Sequence, residues 1–415
     1  MKSTTFFFPG CLKMFRNINL TTVYLTGFIK MFRKNVLHTK ILQMLGGVNC
    51  GSDYVTNHIK ESMNNVKYTH DEIDYHTLLY VVSEYSIKLT NVEPINAGMV
   101  SLVYSGVDAS DNEVIIKIKR NNIYDRIAYD FKQIKSLITI LDRLSFVFSS
   151  IIPIIDKIRS IVETEDYVLS QCNFTQEITA MKSIKQVIDK YSDCTTIPIC
   201  YNKTKDIDSD CINFILMDKI TGTECLLVPD EDTEILCGLI SKFTFTTMCH
   251  SEYYHMDLHP GNILLLDNNG IKKLGVIDFG MNLKPSENIK SFERFCSNRM
   301  LGRADECDVL DIFKFSFARP IETNNLTIEE KEQLTEIANS FITCSVNGKI
   351  DESIIHTHLR KCKIILKNCN LTLSLEFVKF SMGLSMMLSS ISTLINDPVK
   401  MTAIMKKSLS EVSMY

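Results

Sequence analysis

Asp257, Asn262 and Asp278 lie in two short runs, His255-Met256-Asp257-Leu258-His259-Pro260-Gly261-Asn262 and Val276-Ile277-Asp278-Phe279-Gly280. Their types suit a reaction on a metal-bound triphosphate. Mg2+ takes hard oxygen ligands in a near-octahedral shell. Asp278 can supply a carboxylate oxygen and Asn262 an amide oxygen. Asp257 can accept, or orient, the proton of an attacking hydroxyl or water. The chemistry implied is phosphoryl transfer from ATP, or its hydrolysis, with ATP and Mg2+ as cofactors.

These groups need an element that brings them together. Between the two runs come the apolar stretch Ile263–Leu266, the polar turn Asp267-Asn268-Asn269-Gly270 and the second apolar stretch Leu274–Ile277. The pattern predicts a hairpin whose open end holds Asn262 and Asp278 side by side. The first run fits the template H-R-D-L-x-x-x-N at His255, Asp257, Leu258 and Asn262, and the second is a D-F-G. Those are the catalytic and magnesium loops of kinase-like phosphotransferases. His255 and His259 are expected to shape the loop rather than to touch ATP.

Upstream, Asn96–Val103 lines up with the phosphate-loop pattern G-x-G-x-x-G-x-V, keeping Gly98 and Val103, with Ala97 beside the glycine. Val114-Ile115-Ile116-Lys117 matches the V-A-I-K strand, so Lys117 is expected to reach the α- and β-phosphates. A buried lysine needs a carboxylate partner, because an unpaired buried charge is costly. Glu177, in the helical stretch Gln171–Lys185, is the candidate. By order of elements, Met217 to Lys219 form the strand-to-hinge segment that holds adenine through its backbone.

The whole order resembles the UbiB/ADCK family of atypical kinase-like proteins, which act in ubiquinone biosynthesis. Pro94–Tyr104 is similar to that family's alanine-rich loop P-I-A-A-A-S-I-G-Q-V-Y, and Val114–Asn121 to V-A-V-K-V-Q-R-P. His255–Asn262 resembles H-A-D-P-H-P-G-N, and Asp278–Met281 matches D-F-G-M. The resemblance runs from about Gly27 to about Asp397. It implies an α+β, bilobal protein-kinase-like fold: a helical N-terminal extension over 1–90, a small β-containing N-lobe with inserted helices over 91–220, and a mainly helical C-lobe over 221–415. It departs at the family's K-x-G-Q, which stands as Lys30-Met31-Phe32-Arg33, and at E-x-D, which stands as Gln171-Cys172-Asn173. Gly98 stands where the family has alanine.

Bulk properties fit this reading. At 415 residues the chain is long enough for two lobes, and a formal charge of -4 gives no case for nucleic acid. The 14 cysteines form no C-x-x-C pair and are expected to be reduced thiols of an intracellular protein. Leu137–Ile155 and Phe377–Ile395 are interrupted by charged residues and are expected to be buried helices rather than membrane spans. No acidic residue precedes Asp53, whereas Lys2, Lys13, Arg16, Lys30, Arg33, Lys34 and Lys40 are basic. That pattern suits a mitochondrial transit peptide, a helix facing a lipid or membrane surface, or a coding bias, and the three stay open.

The leading functional reading is a magnesium-dependent, ATP-binding atypical kinase or ATPase of this type, linked to lipid or ubiquinone metabolism. Two alternatives stand beside it: a small-molecule kinase resembling the aminoglycoside and choline kinases, and a nucleotide-binding pseudokinase scaffold. Met256 replaces the arginine of the template and no A-P-E follows Gly280, so the acceptor is expected to be a small molecule, a lipid or water rather than a protein.

Overall fold

Asn269 and Gly270 both have positive φ, at 56° and 85°, which is the backbone of a tight two-residue hairpin turn. In the computed structural model this turn joins β9 (Ile263–Asn268) to β10 (Ile271–Val276) with Ile271 opposite Asn268 and Val276 opposite Ile263. Register is therefore fixed at the turn and carried to the far end of the hairpin, where Asn262 and Ile277 follow. The structure describes residues 72–145, 162, 165–203, 212–302, 327–329, 331–332, 335 and 374–413. Residues 1–71 of the expected helical extension, with the Lys30–Arg33 segment, lie outside these residues.

The protein is mixed α and β, as expected, with small, largely antiparallel sheets and many helices. Contacts divide it into two units: Met1–Phe174 with Asp208–Leu216, and Thr175–Ile207 with Met217–Tyr415.

In the first unit, α1 (Glu72–Glu84) is followed by β1 (Lys88–Leu89), β2 (Asn96–Ala97), β3 (Ser101–Val107) and β4 (Glu113–Lys119). Strand β6 (Phe214–Asp218), whose last two residues belong to the other unit, completes a sheet in the order β1-β3-β4-β6, with β2 on β3. Successive strand residues face opposite sides. On β4, Val114, Ile116 and Ile118 are fully buried and join Leu102 and Tyr104 of β3, Leu78 and Val81 of α1, and Phe214 in one core. Each such aliphatic side chain contributes about 1.5–3 kcal/mol on full burial. The alternation sends Lys117 to the other face. Helices α2 (Ile123–Ser145) and α3 (Glu165–Ser170) pack on each other in this unit, joined by a Lys135–Glu165 ion pair.

The second unit holds α4 (Phe174–Tyr191), whose first residue belongs to the other unit, β5 (Thr195–Thr196) and β7 (Thr223–Glu224). Its four-stranded sheet runs β5-β10-β9-β7, and β8 (Tyr254–His255) pairs antiparallel with β11 (Asn282–Leu283). Helices α5 (Thr233–His250), α6 (Glu287–Met300), α7 (Leu375–Leu394) and α8 (Pro398–Val412) complete it. Asp397 caps α8 by accepting from Val399 and Lys400 N–H, with Pro398 in the first turn where its missing N–H costs nothing. Among the described residues one helix, α7, is long and apolar enough to cross a membrane. Here it lies against the unit: Ser390 Oγ donates to the Leu258 carbonyl at 2.6 Å, and Cys237 Sγ of α5 reaches the Ile391 carbonyl at 3.9 Å.

Candidate functional site

The hairpin β9–β10 does what its sequence pattern requires. Asn262 precedes β9 and Ile277 follows β10, and Ile277 N–H donates to the Asn262 carbonyl at 3.3 Å. Asp278 is thus one residue from a hydrogen bond to Asn262. Asn262 sits in a short 3-10 turn, Pro260–Asn262, whose N-cap is His259, with Nδ1 accepting from Gly261 N–H at 3.0 Å. Its side-chain amide donates from Nδ2 to the Asp257 carbonyl at 2.9 Å. That bond commits the nitrogen and leaves Oδ1, the hard oxygen, as the free end of the amide.

His255 couples the two loops. Asp257 N–H donates to Nδ1 of His255 at 3.2 Å, so Nδ1 must accept and Nε2 carries the hydrogen. Nε2–H then donates to the Asp278 carbonyl. Complete burial pushes the imidazole below its ordinary value of 6.5, the Asp278 carbonyl and the nearby carboxylates opposing this, and the ring is neutral. Phe279 packs edge-on against it, with centroids 5.1 Å apart. Met256 N–H donates to the Met281 carbonyl at 3.0 Å, and Asn282 lies opposite His255 in β11. His255 therefore has the loop-shaping role expected of it.

Asp257 is 8% exposed, and its Oδ1 is buried without a hydrogen bond. Its Oδ2 lies 3.9 Å from His259 Nε2. A buried carboxylate oxygen with no donor is costly in a resting protein, and such atoms mark places where a ligand's proton or a water completes the shell. Asp278 Oδ1 accepts from Gly280 N–H at 2.9 Å, which fixes the carboxylate within its turn. Asp257, Asn262 and Asp278 thus form one hydrogen-bonded constellation.

Two supports of this constellation carry no motif of their own. The Ser390 hydroxyl, 0% exposed, holds the carbonyl of Leu258, next to Asp257. Gly383, also on α7, lies against Met256: a Cβ there would stand 3.1 Å from the Met256 Cα. Both are a small or hydroxyl residue in an apolar helix, and only the packing reveals their purpose. Two amides, Gln176 of α4 and Asn282, meet at 3.1 Å.

The first unit carries the other predicted residues. Val103 stands opposite Lys117 across β3–β4, and Ala97 opposite Leu102 across β2–β3. Gly98 N–H donates to the Ser101 carbonyl at 2.9 Å, closing the loop between β2 and β3. Arg120, not anticipated from the sequence, holds that loop: its Nη1 donates to the Gly98 carbonyl at 3.2 Å and its N–H to the Val100 carbonyl at 2.9 Å. Lys117 is 7% exposed, and its ammonium lies 5.6 Å from the Phe174 ring centre. Lys119 shares that ring at 5.4 Å and donates to the Cys172 carbonyl at 3.3 Å.

Glu177 lies in the first turn of α4, 3% exposed, in the second unit. Met217, also in that unit, bridges Cys200, and Asp218 between Met217 and Lys219 is tied down. Its N–H donates to the Ile199 carbonyl at 3.1 Å, and its carboxylate accepts from Ile199 N–H at 2.9 Å and from the Tyr201 hydroxyl. Each unit therefore carries its own part of the predicted set.

The residues fit a magnesium ion delivered with a nucleotide. Among the described residues no group of three or more His, Cys, Asp or Glu is placed to hold a metal ion. A carboxylate and an amide oxygen are the sparse protein share that Mg2+ takes when phosphates and waters fill the rest of its shell.

Comparison with known proteins supplies a family. The model of the ABC1 atypical kinase-like domain matches residues 86–299, about half of the chain. A Clostridium pasteurianum protein described as an uncharacterized protein in the hydrogenase 1 5′ region is 27% identical over 203 residues, which are 48% of this chain and 35% of that relative. The matched stretch thus spans about a third of the relative's length. Among solved structures, the Rv3197–erythromycin complex from Mycobacterium tuberculosis aligns over 93% of this chain and 95% of that one, with 12% identity and a TM-score of 0.47. The Rio2 kinase–ADP/Mg2+–phosphoaspartate complex from Chaetomium thermophilum aligns over 65% and 82%, with 12% identity and a TM-score of 0.32. Both scores are too low to bear on function.

Proposed function

We propose an activity from one premise: the chain belongs to the ABC1 atypical kinase-like domain family. It binds ATP with Mg2+ and either hydrolyses the nucleotide or transfers its terminal phosphoryl group to a small acceptor. The observation that carries this reading is the constellation of Asp257, Asn262 and Asp278, tied by the Asn262–Asp257 and Asp278–His255 hydrogen bonds.

Roles follow from the donor set. Asp278 and Asn262 would hold the metal through the carboxylate and amide Oδ1. A bound Mg2+ supplies neutralisation of the triphosphate charge and a fixed template for its oxygens. Asp257 accepts or orients the proton of the attacking hydroxyl or water, and its Oδ1 without a donor suits that task. Lys117 binds phosphate oxygens, and Glu177 aims it. Ala97, Gly98 and Val103 form the phosphate loop, and Met217 and Lys219 present the backbone that meets adenine.

The finer assignment to the ubiquinone-linked branch rests on the resemblance of Pro94–Tyr104 and His255–Asn262 to that branch's motifs. It makes a lipid surface or a phenolic quinone precursor the expected partner. The test is ATP consumption by the full chain with and without Mg2+, with anionic lipid vesicles, and with a quinone-precursor phenol. Turnover that needs Mg2+ and rises with vesicles or phenol supports the whole reading. Saturable binding with no turnover supports the scaffold alternative instead, and absence of Mg2+-dependent binding contradicts the reading.

A further inference from the structure

We infer that Gln176 and Asn282 are positioning residues, a side-chain amide bridge that fixes the helix carrying Glu177 to the turn carrying Asp278. The inference rests on the proposed magnesium–nucleotide reading and adds to it how two of its acidic groups are set together.

Asn282 uses both ends of its amide. Nδ2 donates to the Phe279 carbonyl at 3.0 Å, inside the Asp278-Phe279-Gly280 turn. Oδ1 accepts from Gln176 Nε2 at 3.1 Å. The residue is 8% exposed, and its backbone stands opposite His255, whose Nε2 holds the Asp278 carbonyl. The turn is thereby gripped by His255 at one carbonyl and by Asn282 at the next. Gln176 is the neighbour of Glu177 on α4, so a slide or rotation of α4 that displaces Glu177 also stretches the bridge. An amide is the side chain this position requires, since it offers a donor and an acceptor on divergent atoms. A carboxylate at 282 would set an acceptor against the Phe279 carbonyl, and an apolar group would leave that carbonyl unmatched in a buried place. Neither residue touches the metal or the nucleotide in the proposed reading; both act through the residues beside them.

The experiment is a Mg2+ titration of the full chain at fixed ADP, read by thermal shift, for wild type, Gln176→Met, Asn282→Leu and the double variant. The expected result is a rise of about three- to tenfold in the Mg2+ midpoint for each single variant, the size of one lost buried hydrogen bond. The Gln176→Met effect should shrink in the Asn282→Leu background, because the shared bond is already gone there. A lowered melting temperature with unchanged Mg2+ midpoints would mean that the bridge serves stability alone and would overturn the inference. So would strictly additive shifts. If Asn282→Leu does not fold, Gln176→Met decides by its midpoint, since Gln176 is only half buried. Wild type showing no Mg2+-dependent response to ADP would overturn the functional reading itself, an outcome distinct from identical responses in wild type and variants.

Discussion

Asn262 Nδ2 hydrogen-bonds the backbone carbonyl of Asp257 at 2.9 Å, so the proposed metal ligand is aimed by the residue that carries the proposed base. The link is backbone to side chain, which leaves the Asp257 carboxylate outside it. Substitution at 257 can therefore alter chemistry without disturbing Asn262. Asp257→Asn is predicted to keep Mg2+-dependent nucleotide binding within about twofold and to lower turnover by on the order of a hundredfold, as expected for loss of a positioned base. Paired binding and turnover assays check this; undiminished turnover would assign the proton to another group.

The phosphate loop gives a cleaner dissection. Gly98 has no positive φ, and a Cβ there would meet only the Ser101 carbonyl, at 3.6 Å, an ordinary contact. Gly98→Ala is predicted to leave the melting temperature within about 1 °C, and any change in ATP affinity then reports on the approach of phosphate rather than on folding. Lys117→Met is predicted to weaken ATP binding on the order of tenfold or more, the scale of a lost charged hydrogen bond. Unchanged affinity in that variant would place the triphosphate elsewhere.

Helix α7 is predicted to govern catalysis from outside the motifs. Ser390→Ala leaves the Leu258 carbonyl buried without its donor, at a cost of about 1–3 kcal/mol. Gly383→Ala puts a methyl onto the Met256 Sδ, which must swing away, and 3.1 Å from the Met256 Cα, a tight backbone contact. Both variants should lose more turnover than nucleotide affinity, because they displace the loop bearing Asp257. Denaturant melts with parallel turnover measurements test this, and loss of binding in proportion to turnover would point to general unfolding.

Stability should fall with acid in a way that His255 accounts for. Burial depresses its folded-state value below 6.5, so the unfolded chain takes up the proton first. The neutral ring's contribution is complete above 6.5 and is lost progressively as the pH drops below it towards the folded-state value. Protonation would also put a second N–H against the Asp257 N–H. Unfolding free energies measured at pH 7.5 and 5.5 should differ more for wild type than for His255→Gln. Equal differences would remove His255 from the account.

The hairpin was legible because its turn is Asn-Gly and its strands are apolar, features that act over a few residues. The strands β3 and β4 were legible for the same reason, since Val114, Ile116 and Ile118 recur at every second residue, with Glu113, Lys117 and Lys119 beside Ile115 on the other face. The grouping of Asp257, Asn262 and Asp278 followed from spacing along that hairpin. What sequence left hidden are contacts between elements far apart in the chain. Ser390 reaches Leu258 across more than a hundred residues, and in sequence it is one serine among many in α7. Arg120 at Gly98 and Asn282 at Gln176 are ordinary polar residues whose partners are set by tertiary packing. Phe174 reads as a core residue until the lysines above its ring are seen.

The most direct measurement is calorimetric binding of ATP as a function of Mg2+ to wild type and to Asp278→Asn, with circular dichroism to establish that the variant is folded. The account predicts binding to wild type that strengthens with Mg2+, and binding to the folded variant that no longer responds to the ion. Equal Mg2+ dependence in both proteins would contradict it, because the carboxylate at 278 would then not hold the metal.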